Sequence, residues 1–144
     1  MKTAVFANSK GGVGKSTIAL LTSLSLATKY NRANVELIDL DPQATTSDSL
    51  SRFANYRFKV INNEEFYLGS TTPNNSRIIS HLESSSDNHI SECYSVIDCP
   101  AGNDPVRSTF LLHSDIIFIP TSVSDADVFA TKKYIASVSI DLTI

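Results

Sequence analysis

Short apolar runs separated by polar turns recur along the chain, and most of them stop at a loop rich in Gly, Asp or Pro. Thr3–Ala7 (Thr-Ala-Val-Phe-Ala) runs into a glycine-rich loop. Ser16–Lys29 follows it with Ile18, Leu21, Leu24 and Ala27 at near-helical spacing, which predicts strand, loop, helix. Val35–Leu40 repeats the pattern: it ends at an Asp-rich turn, and Ala44–Phe53 reads as a helix after Pro42. Phe58–Ile61 predicts a third strand. Asn62–Ser86 is dominated by Ser, Asn and Thr around Pro73 and predicts a loop, then a helix near Ser76–Leu82. Tyr94–Ile97 ends in Asp98-Cys99-Pro100-Ala101-Gly102 and Ile116–Ile119 ends in Pro120, with a helix expected after each.

These runs are short and lack in-out alternation, the pattern of central parallel strands covered by helices on both faces. Alternating strand and helix therefore predicts an α/β fold, a three-layer, doubly wound, mostly parallel sheet whose ligands bind beyond the carboxyl ends of the strands. At 144 residues, 42% hydrophobic and 19% charged, the chain fits a single domain spanning 1–144 that buries a core without disulfides.

Charge and composition exclude several function classes. A net charge of -3 gives no overall positive field for nucleic acid, so any DNA contact needs a local patch or a partner, and Lys132-Lys133 is only a minimal basic pair. No stretch approaches the roughly 18 to 20 apolar residues of a membrane span. Met1-Lys2-Thr3 leads straight into the first strand with no leader pattern, so it reads as mature sequence. The two thiols, Cys93 and Cys99, form no framework, which points to a reducing compartment, the cytoplasm, and to packing rather than chemistry. His81, His89 and His113 share no metal-like spacing and are expected at the surface or as satisfied core groups.

Three of the five glycines, Gly11, Gly12 and Gly14, crowd into Ser9-Lys10-Gly11-Gly12-Val13-Gly14-Lys15-Ser16-Thr17. Between a strand and a helix, such a loop turns backbone N–H groups toward an anion, and the helix N-terminus adds partial positive charge. A polyphosphate is the natural ligand. Lys15 is placed to reach its outer phosphates and Ser16 to coordinate magnesium. By itself this loop is also compatible with a kinase, a GTPase or a loop that has lost its ligand. Asp39 and Asp41 likewise fit either a functional strand end or turn chemistry ahead of Pro42, and Asp98 either a metal-facing carboxylate or a plain strand terminus.

Ser9 in place of the usual first glycine, with Lys10 before the double glycine, resembles the deviant Walker A loop of the ParA/MinD family of ATPases. Asp39-Leu40-Asp41-Pro42-Gln43 resembles the family's second motif, and Val96-Ile97-Asp98-Cys99-Pro100-Ala101-Gly102 its Walker B strand and switch segment. Ile119-Pro120 with Ser124 and Asp127 resembles the small plasmid-partition members of the ParF type.

That resemblance implies ATP and Mg2+ as cofactors, held by Lys10 through Thr17 and by Ser16, Asp39 and Asp98 respectively. It implies that Lys10 crosses the interface of an ATP-dependent homodimer, that Lys15 binds the outer phosphates, and that Asp41 orients the attacking water. The implied role is positioning or segregation of plasmid or chromosomal DNA, with a ParB-like or centromere-binding partner; direct DNA contact gains no support from the net charge. It also implies a C-terminally shortened version of the family fold, because such relatives continue for one or more strands and helices beyond the point matching Ile144, the part that usually supplies the adenine pocket and the basic surface. A second reading is a nucleotide-binding interaction module with little hydrolysis. Membrane-site placement as in MinD ranks last, because no terminal amphipathic helix is present in these residues.

Overall fold

Each predicted strand forms, and all pair in parallel. In the computed structural model, which describes residues 1–31, 33–43, 46, 50, 58–67, 69–70, 72–86, 92–102 and 109–141, the order of elements is β1 (Lys2–Phe6), α1 (Lys15–Lys29), β2 (Asn34–Asp39), β3 (Lys59–Ile61), α2 (Glu64–Tyr67), α3 (Asn75–Ser86), β4 (Cys93–Asp98), a 3-10 turn (Thr109–His113), β5 (Ile116–Phe118) and α4 (Asp125–Asp141). The sheet runs β3-β2-β4-β1-β5. Phe6 and Asp39 both pair in register with Asp98, and Phe6 with Phe118, so the carboxyl ends of four strands finish level.

Both faces of the sheet are covered, which explains the unbroken apolar runs. Along β1, β2 and β4, Phe6, Leu37 and Val96 point to the α1 side, where Ala19 and Ala27 meet them. Their neighbours Val5, Ile38 and Ile97 point to the other side, against Ile78 and Leu82 of α3 and Tyr134 and Val138 of α4. Alternation is present in geometry but invisible in sequence, because both sets are apolar.

The inward face of α1 is not the one its apolar residues suggest. The helix buries Lys15, Ala19, Ser23 and Ala27, spaced four apart, while Ile18 and Leu21 are 41% and 57% exposed. Small side chains let a helix lie close to a sheet, and Ser23 satisfies its hydroxyl on the Ala19 carbonyl (3.0 Å). The Ile18/Leu21 periodicity identifies the helix but not its buried side.

Two further differences concern the connections. The helix expected near Ser76–Leu82 is longer, because Asn74 caps it by accepting the Arg77 N–H (3.1 Å). The single turn α2, inside what the composition suggests is loop, is held by buried Phe66. For the helix expected after the Asp98 segment, residues 103–108 lie outside the described residues, and the described residues that follow form a short 3-10 turn with Phe110 and Leu111 buried. Of the helix expected over Ala44–Phe53, only Thr46 and Leu50 lie within the described residues. Among the described residues, no helix is long and apolar enough to cross a membrane.

Candidate active site

The glycine loop leaves β1 under tight control. Asn8 is fully buried, and its Nδ2 donates to the Pro120 carbonyl (2.8 Å) and the Thr131 hydroxyl (3.0 Å) while its Oδ1 accepts the Lys10 N–H (3.1 Å). One side chain thus ties the loop's first turn to the end of β5 and to α4. Gly12 and Gly14 have φ of 72° and 88°, left-handed conformations that side-chain-bearing residues seldom adopt. Gly14 is the N-cap of α1, and no side chain caps the helix, so its first N–H groups and its dipole are directed at whatever the loop surrounds.

Two lysines flank those amides. Lys15 is buried, with Nζ donating to the Lys10 carbonyl (2.9 Å) across the loop. Lys10 turns the other way and forms an ion pair with Asp127, in the first turn of α4. Asp127 also accepts from the Ser122 hydroxyl and donates its own N–H to Ser124 Oγ (3.2 Å). The hydrogen bonds from Lys10, Ser122 and Ser124 hold its carboxyl down at about 2.

Opposite the loop stand the carboxylates. Asp39 and Asp98, register partners at the ends of adjacent strands, are both 0% exposed. Thr46 donates to Asp98 Oδ2 (3.2 Å), but Asp98 Oδ1 is buried without a hydrogen-bond partner. Burial pushes the Asp98 carboxyl up to about 6; the Asp39 and Asp41 carboxylates add to the rise, and the Ser16 and Thr46 hydroxyls oppose it. An unpartnered carboxylate oxygen beside a second buried carboxylate and a serine hydroxyl is a donor set suited to hydrated magnesium. Among the described residues no group of three His, Cys, Asp or Glu side chains is placed to hold a metal ion by itself.

Beyond Asp39 the chain folds into two successive Asx turns. Asp39 Oδ1 accepts the Asp41 N–H (3.1 Å), and Asp41 Oδ1 accepts the Gln43 N–H (2.9 Å). On the β4 side, the Gly102 N–H donates to the Ser9 carbonyl (2.8 Å), joining the glycine loop to the segment after Asp98. Asp41, Pro42, Tyr67, Pro73, Pro100 and Gly102 border an open cavity of about 380 Å³ between these two turns. The residues read from the sequence at 10–17, 39, 41 and 98 therefore converge at one end of the sheet.

Residues 1–80, more than half of the chain, match the protein family described as AAA domain. The chain is 31% identical over 137 residues to the maintenance of carboxysome distribution protein A of Halothiobacillus neapolitanus, covering 92% of this chain and 56% of that relative. It is 46% identical over 50 residues, 35% of this chain and 19% of the relative, to a virulence plasmid ParA family protein of Chlamydia psittaci. The chain belongs to the ParA/MinD-type P-loop ATPases. It spans about half the length of the first of these relatives. The structure of a plasmid partition protein from Borrelia burgdorferi bound to AMPPNP superposes with a TM-score of 0.71 at 20% identity, over 96% of this chain and 70% of that one, a likeness of fold.

Several residues matter to this ParA/MinD-type site without a sequence signal as clear as the glycine loop. Asn8 is legible only as a polar residue directly after an apolar strand. Thr46 carries no signal of its own. Cys99 is fully buried, and burial together with Asp98 drives its thiol far above the usual range. His81 Nε2 meets Glu36 (3.0 Å), which also accepts from Ser95 (2.8 Å), a satisfied pin between α3 and the sheet. His113 is exposed, and His89 lies outside the described residues. Lys132 and Lys133 are exposed on α4, with Lys133 over the Phe129 ring.

Proposed function

We propose that this chain binds ATP with magnesium at the glycine loop, hydrolyses it, and uses ATP-dependent dimerisation as a switch in plasmid or chromosome partition or in positioning a cellular cargo. The observation that carries the reading is the level pair of buried carboxylates, one with an unsatisfied oxygen, facing a glycine loop and an uncapped helix N-terminus. The coarser part, a ParA-like ATPase, follows from the family. The names of the relatives, one distributing carboxysomes and one belonging to a virulence plasmid, support positioning or partition.

In this reading the amides of residues 11–17 bind the phosphates and Lys15 holds the outer ones, where fixed donors act without reorganisation. Ser16, Asp39 and Asp98 hold magnesium, mostly through water. Charge neutralisation at the outer phosphates is what that ion supplies when bound. Asp41 orients the attacking water, positioned by the turn that Asp39 begins. Loss of the outer phosphate frees the Asp41 and Gly102 turns and with them the dimer. Lys10 neutralises phosphate charge across the dimer, and to do so it must leave Asp127, its partner within the chain.

Lys10→Ala is therefore expected to leave the Kd for magnesium ATP within about threefold of wild type while abolishing the ATP-dependent rise in mass seen by light scattering. Dimers that persist in this variant would overturn the role given to Lys10. A second reading, a nucleotide-binding module with little hydrolysis, is favoured by the ion pair that holds Lys10 on Asp127 within the chain, away from the glycine loop's ligand. ATP affinity without turnover, unchanged by added DNA and by a centromere-binding partner, would select it. The cytoplasm and a single domain over 1–144 accompany the main reading.

A further inference from the structure

The role of Asp41 depends on where its side chain points, which follows from its backbone direction and from the Gln43 N–H that its Oδ1 accepts (2.9 Å). The peptide groups on either side of Asp41 fix its backbone direction. The first, Leu40–Asp41, is held at both ends: its N–H donates to Asp39 Oδ1 (3.1 Å), and its carbonyl accepts the Tyr67 hydroxyl (2.7 Å). The second, Asp41–Pro42, has no N–H because residue 42 is proline, so its carbonyl is the only group by which it can be held. That carbonyl accepts Asn63 Nδ2 (2.9 Å).

We propose that Asn63 and Tyr67 are positioning residues that clamp the two peptide groups of Asp41 and so aim its carboxylate at the attacking water. The proposal rests on the hydrolytic reading of Asp41. Both residues come from α2 and the turn before it, a platform that is itself fixed. Phe66 is buried edge-on to His81 (5.9 Å), while the Glu65 and Phe66 carbonyls accept from Arg77 Nη1 (3.0 Å) and the Asn74 N–H (2.8 Å) at the start of α3. Asn63 closes the turn by accepting the Phe66 and Tyr67 N–H groups on its carbonyl (2.8 and 3.1 Å). Burial, with a contribution from Asp41, pushes the Tyr67 hydroxyl up to about 12, so it remains a donor throughout the neutral range. A four-residue helix with one buried aromatic has little other reason to be pinned this firmly beneath a turn.

The test combines two readouts on Tyr67→Phe and Asn63→Ala, with Asp41→Ala in parallel. In the nucleotide-free protein, the Asp41 and Gln43 amides are expected to exchange with solvent about tenfold faster in both clamp variants, while the Val5 and Ile97 amides in β1 and β4 stay unchanged. With magnesium ATP, kcat is expected to fall about tenfold with KM within about twofold, the signature of lost alignment rather than lost binding. Adding Tyr67→Phe to Asp41→Ala should slow turnover no further. Wild-type exchange at Asp41 and Gln43 in both variants would overturn the clamp. Undiminished hydrolysis by Asp41→Ala would instead sink the hydrolytic reading of Asp41, even where faster exchange still shows the clamp to exist.

Discussion

Lys15→Ala is expected to raise the Kd for magnesium ATP by about 100-fold or more and to leave the folded chain no less stable. The ammonium is buried at the mouth of α1, and among the described residues its one hydrogen bond is to the Lys10 carbonyl, a neutral group. Such a burial costs free energy that a carbonyl only partly offsets, and a polyphosphate would offset it fully. Alanine also suits the first helical turn better than most residues do. Calorimetric titration alongside thermal unfolding separates the two effects. Retained affinity would mean that the backbone amides alone hold the nucleotide, and a collapse in stability would mean that Lys15 is structural.

Asp98→Asn is expected to raise the stability of the ligand-free protein at neutral pH and to lower its activity. The folded state holds the Asp98 proton more tightly than the unfolded chain does, with a pKa of about 6 against an ordinary 3.8. This group therefore favours folding most below about pH 4, and that contribution is lost as pH rises through about 6. A rise of that size corresponds to about 3 kcal/mol, an upper bound on what the buried carboxylate costs the ligand-free protein at neutral pH. In magnesium-free buffer at pH 7.5, Asp98→Asn is expected to unfold at a higher denaturant concentration than wild type, the gain vanishing as pH is lowered toward 4. Its magnesium-dependent turnover is expected to fall by about 100-fold. A variant both destabilised and active would contradict the placement of Asp98 at the metal.

Much of this site was legible because its pieces are local. A strand that ends in Asp before Pro, or in a glycine cluster before a helix, writes its own boundary, and parallel pairing then brings Phe6, Asp39 and Asp98 level without further information. What stayed hidden depends on partners far along the chain. Asn8 reaches Pro120 and Thr131, 112 and 123 residues away. Thr46 meets Asp98 across 52 residues, and the Glu36 pin joins β2, α3 and β4. The buried face of α1 was misleading for a related reason. Proximity to the sheet selects Ala19, Ser23 and Ala27 there, so the larger Ile18 and Leu21 that dominate a periodicity reading lie outside. Asn63 and Tyr67 sit in a polar stretch whose composition reads as loop, and only the fold carries them under the Asp41 turn.

Whether this chain is an ATP-loaded switch is decided by titrating the purified protein with magnesium ATP, ADP and GTP in a calorimeter while light scattering follows the same samples. A working switch shows saturable binding that prefers adenine nucleotides, and a doubling of mass with ATP that ADP does not produce. Absence of binding to any of the three, at concentrations up to the millimolar range, would contradict it.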